Sequence, residues 1–111
     1  MNDEMPEMNV STANARLENL VSAWNQSSFE QYCADFTQSL VDHYNPGYFS
    51  RIRTQSGQWL SNKYLGCLKQ GRHFVYLWQS RFEGSENDVL FSLTMTTDGH
   101  IAGLLKRFSK V

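Results

Sequence analysis

The chain lacks long apolar runs and any excess of charge of one sign. No window approaches the roughly 18 consecutive apolar residues that a membrane-spanning helix needs. The formal net charge is -1, with acidic and basic residues interspersed, so the sequence offers no electrostatic surface for nucleic acid. Its first residues carry no basic segment followed by an apolar one, as a secretory signal would. We therefore expect a cytoplasmic protein that binds neither nucleic acid nor membrane.

Motifs for metal binding and for common catalytic sites are missing as well. Cys33, Cys67 and the three histidines have none of the paired spacings of a structural zinc site. The sequence contains no Gly-x-Ser-x-Gly elbow and no glycine-rich phosphate loop. Two cysteines in a chain without secretory features are expected to be free, buried thiols. We expect no metal ion, no cofactor and no catalytic set.

The composition predicts one globular domain. With 111 residues, of which 41% are hydrophobic and 14% aromatic, the chain is long enough to bury a core without disulfides or metal. Residues 1–10 are acidic, rich in methionine and interrupted by Pro6. We assign residues 1–10 to a flexible N-terminal tail and residues 11–111 to a single domain.

Three helices are predicted in the first half of the chain. The first begins at Ser11 or Thr12, either of which can act as an N-cap. Ser28, with Gln31 three residues later, forms a capping box for the second. Asn45 followed by proline predicts a short third helix over residues 47–53, with Phe49 and Ile52 facing inward and Gly57 after its end. The apolar positions of the first helix are Ala13, Leu17, Leu20, Val21 and Trp24, and those of the second are Phe29, Tyr32, Cys33, Phe36 and Leu40.

The second half of the chain predicts a four-stranded antiparallel meander. β-type segments within residues 60–108 are separated by Gln70-Gly71, by residues 83–88 and by Asp98-Gly99. Dipeptides such as Asp-Gly between apolar segments are typical of two-residue hairpin turns. The fold class is therefore α+β, with N-terminal helices packed on one face of a curved sheet.

Two-residue turns fix the register of each hairpin and so predict the residues on each face. The inward face of the second hairpin pairs Met95 with Ala102, Leu93 with Leu104, Phe91 with Lys106 and Val89 with Phe108. The inward face of the first hairpin contains Lys63, Leu65, Cys67, Phe74, Tyr76 and Trp78. The polar residues on the inward faces of the two hairpins are Lys63, Ser80 and Lys106.

The outward face of the predicted sheet is also apolar, through Tyr64, Val75, Leu77 and Leu105. A sheet with helices on one side only cannot bury both faces. The simplest cover is a second copy of the chain related by a two-fold axis. We therefore expect a homodimer that forms through the sheet.

Two short segments carry a resemblance to a known family. Residues 28–32 (SFEQY) follow the tryptophan that closes the first helix, and residues 97–104 read TDGHIAGL. In this arrangement the chain resembles the nuclear transport factor 2-like, cystatin-like α+β superfamily, in a bacterial branch of unknown function. The resemblance implies a cone-shaped domain whose mouth can hold a small apolar ligand. Many members dimerise through the sheet, and some are isomerases or cyclases.

The main functional hypothesis is a small-ligand-binding domain with an apolar aromatic cavity. The alternatives are a homodimeric protein-interaction module and an isomerase- or cyclase-like enzyme, which would need a carboxylate or histidine inside the cone. The predicted inward face holds neither, but the reverse orientation of the sheet would turn His73, Gln79, Arg81 and Arg107 inward. The predicted ligand-binding residues are Trp24, Tyr32, Phe36, Tyr76, Trp78 and Phe91. The alternative is that the same side chains simply fill the core and leave no cavity.

Overall fold

Within the described residues, four helices precede a four-stranded antiparallel sheet. The computed structural model describes residues 6–108, and the side chains of residues 10–106. The sheet is an open meander with strand order β1-β2-β3-β4, which confirms the predicted α+β class. The elements are α1 (Pro6–Asn25), α2 (Phe29–Tyr32), α3 (Gln38–Asp42), α4 (Pro46–Ser56), β1 (Trp59–Gln70), β2 (His73–Phe82), β3 (Val89–Met95) and β4 (Ile101–Phe108).

The core lies between the helices and one face of the sheet. Residues of β2 and β3 alternate in burial, because successive side chains of a strand point to opposite faces. Helix α1 buries a stripe with the three- and four-residue spacing of an amphipathic helix. As predicted, that stripe buries Ala13, Leu17, Leu20 and Trp24, and Val21 is partly buried.

Helix α1 begins earlier than its sequence predicted. It starts at Pro6, so the predicted N-cap at Ser11 or Thr12 is wrong. Proline is favoured in the first turn of a helix, where its missing N–H leaves no hydrogen bond unmade. Pro6 therefore lies within α1 and does not interrupt it. Residues 1–5 of the predicted flexible tail lie outside the described residues.

The predicted second helix is two short helices. The Ser28 side chain accepts a hydrogen bond from the Gln31 backbone N–H, as expected for the cap of α2. After α2 the chain instead hydrogen bonds to the start of β4: Ile101 N–H donates to the Asp35 carbonyl at 2.8 Å, and Thr37 N–H donates to the Ile101 carbonyl at 2.8 Å. Thr37 then caps α3. The prediction of one continuous helix is wrong because these long-range bonds satisfy the backbone instead.

Helix α4 has the caps that its sequence predicted. The Asn45 side chain accepts hydrogen bonds from Gly47 N–H at 2.7 Å and from Tyr48 N–H at 3.1 Å. Pro46 occupies the first helical position. Gly57 ends the helix with a φ of 71°, a left-handed conformation that glycine adopts without steric cost. The predicted helix over residues 47–53 is confirmed and extends to Ser56.

A β-bulge in β1 reverses the predicted facing of half the strand. The turn of the first hairpin lies at residues 71–72, since Gln70 pairs with His73. A register shift between Tyr64 and Gly66 then places Tyr64 opposite Trp78 and Lys63 opposite Gln79. The predictions that Lys63 faces inward and Tyr64 outward are therefore wrong. One extra residue in a strand has this effect because the side-chain period is two.

The second hairpin keeps most of its predicted register. Leu93 pairs with Leu104, Phe91 with Lys106, and Val89 with Phe108. The loop differs, because Thr96 N–H donates to the His100 carbonyl across three residues, 97–99, and not two. A register shift at the end of β3 absorbs the extra residue. It pairs Met95 with Ile101 instead of the predicted Ala102.

The inward faces of the two hairpins are continuous. Tyr76 pairs with Leu93, and Trp78 pairs with Phe91. Gln79 and Arg81 are exposed, so the alternative that turned them inward is wrong; the Arg107 side chain lies outside the described residues.

Opposite the core, the outward face leaves three leucines exposed, by 59%, 40% and 51% of their surface. They are Leu68, Leu90 and Leu105.

Candidate functional site

A pocket of about 150 Å³ lies between the helices and strand β4. Its walls come from the end of α1, from α2, from α4 and the residues before it, and from β4. Most of its lining side chains are aromatic. We call it the aromatic pocket, and it is lined by Trp24, Tyr32, Tyr44, Tyr48, Phe49, Ile52, Leu104, Leu105 and Lys106.

The volume of the aromatic pocket limits what it can hold. Pockets for drug-sized ligands measure roughly 300–1,000 Å³. An apolar cavity of roughly 150 Å³ holds one benzene ring. The pocket therefore matches a ligand with a single ring or a short aliphatic chain, and it is too small for a fused-ring compound unless the walls move.

Trp24 is fixed in the wall of the aromatic pocket by hydrogen bonds from two directions. Its indole Nε1–H donates to the Gly57 carbonyl at 2.9 Å. Arg53 Nε–H donates to the Trp24 backbone carbonyl at 2.6 Å, and the same carbonyl accepts from Ser27 N–H at 3.0 Å at the end of α1. The Trp24 ring also meets the Phe49 ring edge to face, with centroids 5.5 Å apart. These contacts connect α1 and α4 and hold the indole in one orientation.

Tyrosine hydroxyls supply polar groups to the aromatic pocket. Burial is the main cause that raises the pKa of Tyr32 well above its usual value and the pKa of Tyr44 to about 12. The interaction between the two hydroxyls raises the pKa of Tyr32 further and partly offsets the rise in the pKa of Tyr44. Both phenols therefore stay neutral, and can donate hydrogen bonds, at physiological pH.

Lys106 places an amine in this apolar setting. Its pairing with Phe91 directs the side chain to the inward face of the sheet. The Nζ atom lies 3.7 Å from the centroid of the Trp24 ring and 4.8 Å from that of Phe82. It is buried and has no hydrogen-bond partner among the residues that the structure describes. Desolvation by burial lowers the pKa of Lys106 to about 7, because the charged form loses its hydration.

The described lining of the aromatic pocket includes no aspartate, glutamate or histidine. Lys106 is its one side chain with a pKa near neutrality. Ser80, the other inward polar residue, is already engaged: its hydroxyl donates to Asn62 Oδ1 at 2.5 Å. Asn62 Oδ1 also accepts from the Trp59 indole N–H at 2.8 Å. Those side chains therefore serve the packing of β1 on β2.

The six predicted ligand-binding residues occupy different places. Trp24 and Tyr32 line the aromatic pocket. Phe36, Tyr76 and Phe91 are buried in the core. Trp78 is also buried, and it borders a second depression of about 300 Å³, on the α1 side of the sheet, that is lined by Asn14, Leu17, Glu18, Asn62, Tyr64 and Trp78.

Most residues of the aromatic pocket were not among the predicted set. Two sequence signals pointed toward it. Phe49 and Ile52 occupy the inward positions of α4, and Lys106 was one of three polar residues predicted to face inward. Tyr44 and Tyr48 flank the Asn45-Pro46 cap, and no periodic pattern in the sequence marks them as lining residues.

The described residues contain neither a metal-binding cluster nor a helix that could span a membrane. Between residues 6 and 108, no three His, Cys, Asp or Glu side chains are grouped closely enough to hold a metal ion. No helix in this range is long and apolar enough to cross a membrane. Cys33 and Cys67 are free and partly buried, and burial raises the pKa of Cys33 to about 11.

Comparison with known proteins shows the fold. No protein-family model matches the sequence, and no curated protein matches it either. A solved structure of similar architecture is a SnoaL-like protein of unknown function from Burkholderia thailandensis E264. It shares 8% sequence identity with this chain, the match covers 90% of this chain and 97% of that one, and the TM-score is 0.56. The chain thus shares the α+β fold of that SnoaL-like protein, and this is the fold that the predicted resemblance implied.

Proposed function

We propose that this protein is a small-ligand-binding domain and that its ligand occupies the aromatic pocket. The observation that carries the proposal is a pocket of about 150 Å³ with mainly aromatic walls, placed between the helices and β4. Burying an apolar ring there would remove it from water at a gain of roughly 25 cal/mol per Å² of apolar surface. The fold alone does not assign a ligand, so the size and lining of the pocket define the class: small, apolar and single-ringed.

Thermal unfolding in the presence of simple hydrocarbons tests this proposal. A ligand that binds only the folded chain raises its melting temperature in proportion to RT ln(1 + [L]/Kd). We expect toluene to raise it and anthracene, with three fused rings, to leave it unchanged. Ile52→Trp should abolish the toluene effect by filling the pocket. Val41→Trp, at an exposed position of α3, is the matched control and should retain the effect.

Two results would contradict the proposal. One is a melting temperature that toluene does not change in the unsubstituted protein. The other is an equal toluene effect in Ile52→Trp, which would place the ligand elsewhere.

We do not propose the isomerase or cyclase alternative, because the described lining of the aromatic pocket offers no carboxylate or histidine to act as the general base. The cytoplasmic location stays a prediction.

A second candidate function is a homodimeric interaction module, and the outward sheet face favours it. Leu68, Leu90 and Leu105 are exposed there, so this face presents apolar side chains that a partner could cover. Light scattering after gel filtration measures the molar mass directly. We expect a dimer that Leu68→Glu dissociates and that Val41→Glu leaves intact. A monomer at high protein concentration would exclude this function.

A further inference from the structure

We propose that the aromatic pocket binds a small aldehyde or ketone covalently and reversibly, with Lys106 as the nucleophile that forms an imine. This inference rests on the proposed ligand-binding function and adds the chemical class of the ligand. It assigns a role to Lys106 Nζ, an amine of the described pocket lining that has no hydrogen-bond partner among the described residues.

The first argument is the position of the amine. Lys106 Nζ is packed against the faces of the Trp24 and Phe82 rings and has no acceptor among the described residues. A buried polar group normally has a hydrogen-bond partner, and none of the lining residues provides a carboxylate. No described residue therefore holds the amine in an ion pair, and its flexible four-carbon stem can turn it from the ring faces into the adjoining pocket.

The second argument is the protonation state that this position produces. Desolvation lowers the pKa of Lys106 to about 7, so about half of the amine is neutral at pH 7. The other titratable side chains that line the pocket are Tyr32, Tyr44 and Tyr48; burial keeps the first two neutral as well. A desolvated lysine in a hydrophobic pocket is the usual form of an amine nucleophile toward carbonyl compounds.

The third argument is the match between the pocket and a carbonyl compound. The aromatic walls suit an apolar body of one ring, and the volume of about 150 Å³ admits a molecule of that size. A carbonyl oxygen can accept a hydrogen bond, and the neutral tyrosine hydroxyls are donors in the same lining. A carboxylate ligand, in contrast, would bring a charge into apolar surroundings and lose its own hydration.

The chemistry needs no oxidant, reductant or metal. The neutral Nζ attacks the carbonyl carbon, a C–N bond forms, and the carbonyl π electrons move to the oxygen, which takes up a proton as nitrogen releases one. The resulting carbinolamine loses its hydroxyl and a second nitrogen proton as water, and the C=N double bond forms. The products are one imine and one water, and hydrolysis reverses the reaction.

Reductive trapping with benzaldehyde tests the proposal. The full protein is treated with benzaldehyde and cyanoborohydride at pH 7, and the benzylated lysines are located by peptide mass spectrometry. Lys63 and Lys69 are exposed and serve as internal references, as does the α-amino group. We expect Lys106 to be labelled at least about tenfold faster than these two lysines, since an ordinary lysine with a pKa of about 10.4 is neutral in fewer than about one molecule in a thousand at pH 7.

Two variants connect the labelling to the pocket. Lys106→Arg keeps a cation but cannot form an imine, so the fast labelling should disappear while Lys63 and Lys69 react as before. Ile52→Trp leaves Lys106 in place but fills the pocket, and should also suppress its labelling by benzaldehyde. Circular dichroism of both variants establishes that they are folded.

The possible results separate this inference from the proposed function. Equal labelling of all lysines, or fast labelling of Lys106 that persists in a folded Ile52→Trp variant, would overturn the imine proposal. Tighter binding of benzoate than of toluene with no benzaldehyde adduct would also overturn it and make Lys106 an anion-binding residue. If toluene still raises the melting temperature in those cases, the ligand-binding function stands without the imine. If toluene has no effect, the proposed function itself fails.

Discussion

Lys106→Met isolates the cost of burying an amine in the aromatic pocket. Methionine keeps a flexible side chain of similar length, and it replaces the amine that lies over the Trp24 and Phe82 rings with an apolar group that does not titrate. The pKa of Lys106 is lowered to about 7 in the folded protein by desolvation, whereas in the unfolded chain it is about 10.4. The substitution should therefore stabilise the protein, and by an amount that depends on pH.

The direction follows from counting bound protons. Below about pH 7 the amine is protonated in both states, so the folded protein carries the full desolvation cost. Between about pH 7 and 10 the folded protein has lost this proton while the unfolded chain keeps it, so the free energy of unfolding rises with pH. With these two pKa values the rise amounts to about 2 kcal/mol from about pH 6.5 to about pH 8.5. Lys106→Met lacks this contribution.

Urea unfolding followed by tryptophan fluorescence at both pH values measures the effect. The stability advantage of Lys106→Met over the unsubstituted protein should be larger at the lower pH by about 2 kcal/mol. Cys33 and Cys67, whose pKa values burial raises, act in the opposite direction at higher pH, but they are present in both proteins and cancel in the difference. Lys69→Met, at an exposed position, should show no such change. A pH-independent advantage for Lys106→Met would refute the reasoning.

Two further predictions concern the frame that holds the pocket, and both are measured by urea unfolding. Gly57→Ala should destabilise the protein by about 1–3 kcal/mol, since φ is 71° and a Cβ would lie 2.9 Å from Glu83 Oε1. Gly71→Ala is the control and should cost less, because its φ is 63° but its Cβ would have no atom within 4 Å. Equal costs for the two substitutions would contradict the steric argument. Asn62→Ala should cost about 1–3 kcal/mol because it leaves the buried Trp59 indole N–H without its acceptor; a neutral result would mean that water replaces Asn62.

Local signals in the sequence predicted the elements that local chemistry determines. Asn45, Pro46 and Gly57 bounded α4 because capping depends on residues within one turn of the helix end. Segments of β-type residues between turn signals predicted β2 and β3, because a turn also depends on residues that are adjacent in the sequence. The second hairpin kept its register from residue 94 back to residue 89, although its loop has three residues, because the apolar alternation on both strands specifies the pairing.

Interactions between distant residues account for the errors. The helix predicted from Ser28 breaks because Asp35 and Thr37 bond to Ile101, a contact that no local pattern shows. The bulge beside Gly66 reverses the facing of β1. A Cβ added at Gly66 would have no atom within 4 Å. The aromatic pocket needed both kinds of information: Lys106 was predicted to face inward, but its neighbours on α4 became known only from the packing of the helices.

The aromatic pocket also connects ligand binding to how the chain folds. Trp24 belongs to the first helix and Lys106 to the last strand, and Arg16 Nε–H donates to the Gly99 carbonyl across 83 residues. Closing so large a loop costs chain entropy before any contact is made. A partly folded chain in which β4 has not docked has no such pocket, so a bound ligand would mark only molecules with both ends of the fold in place. Ligand occupancy would then report the slow, non-local step of folding.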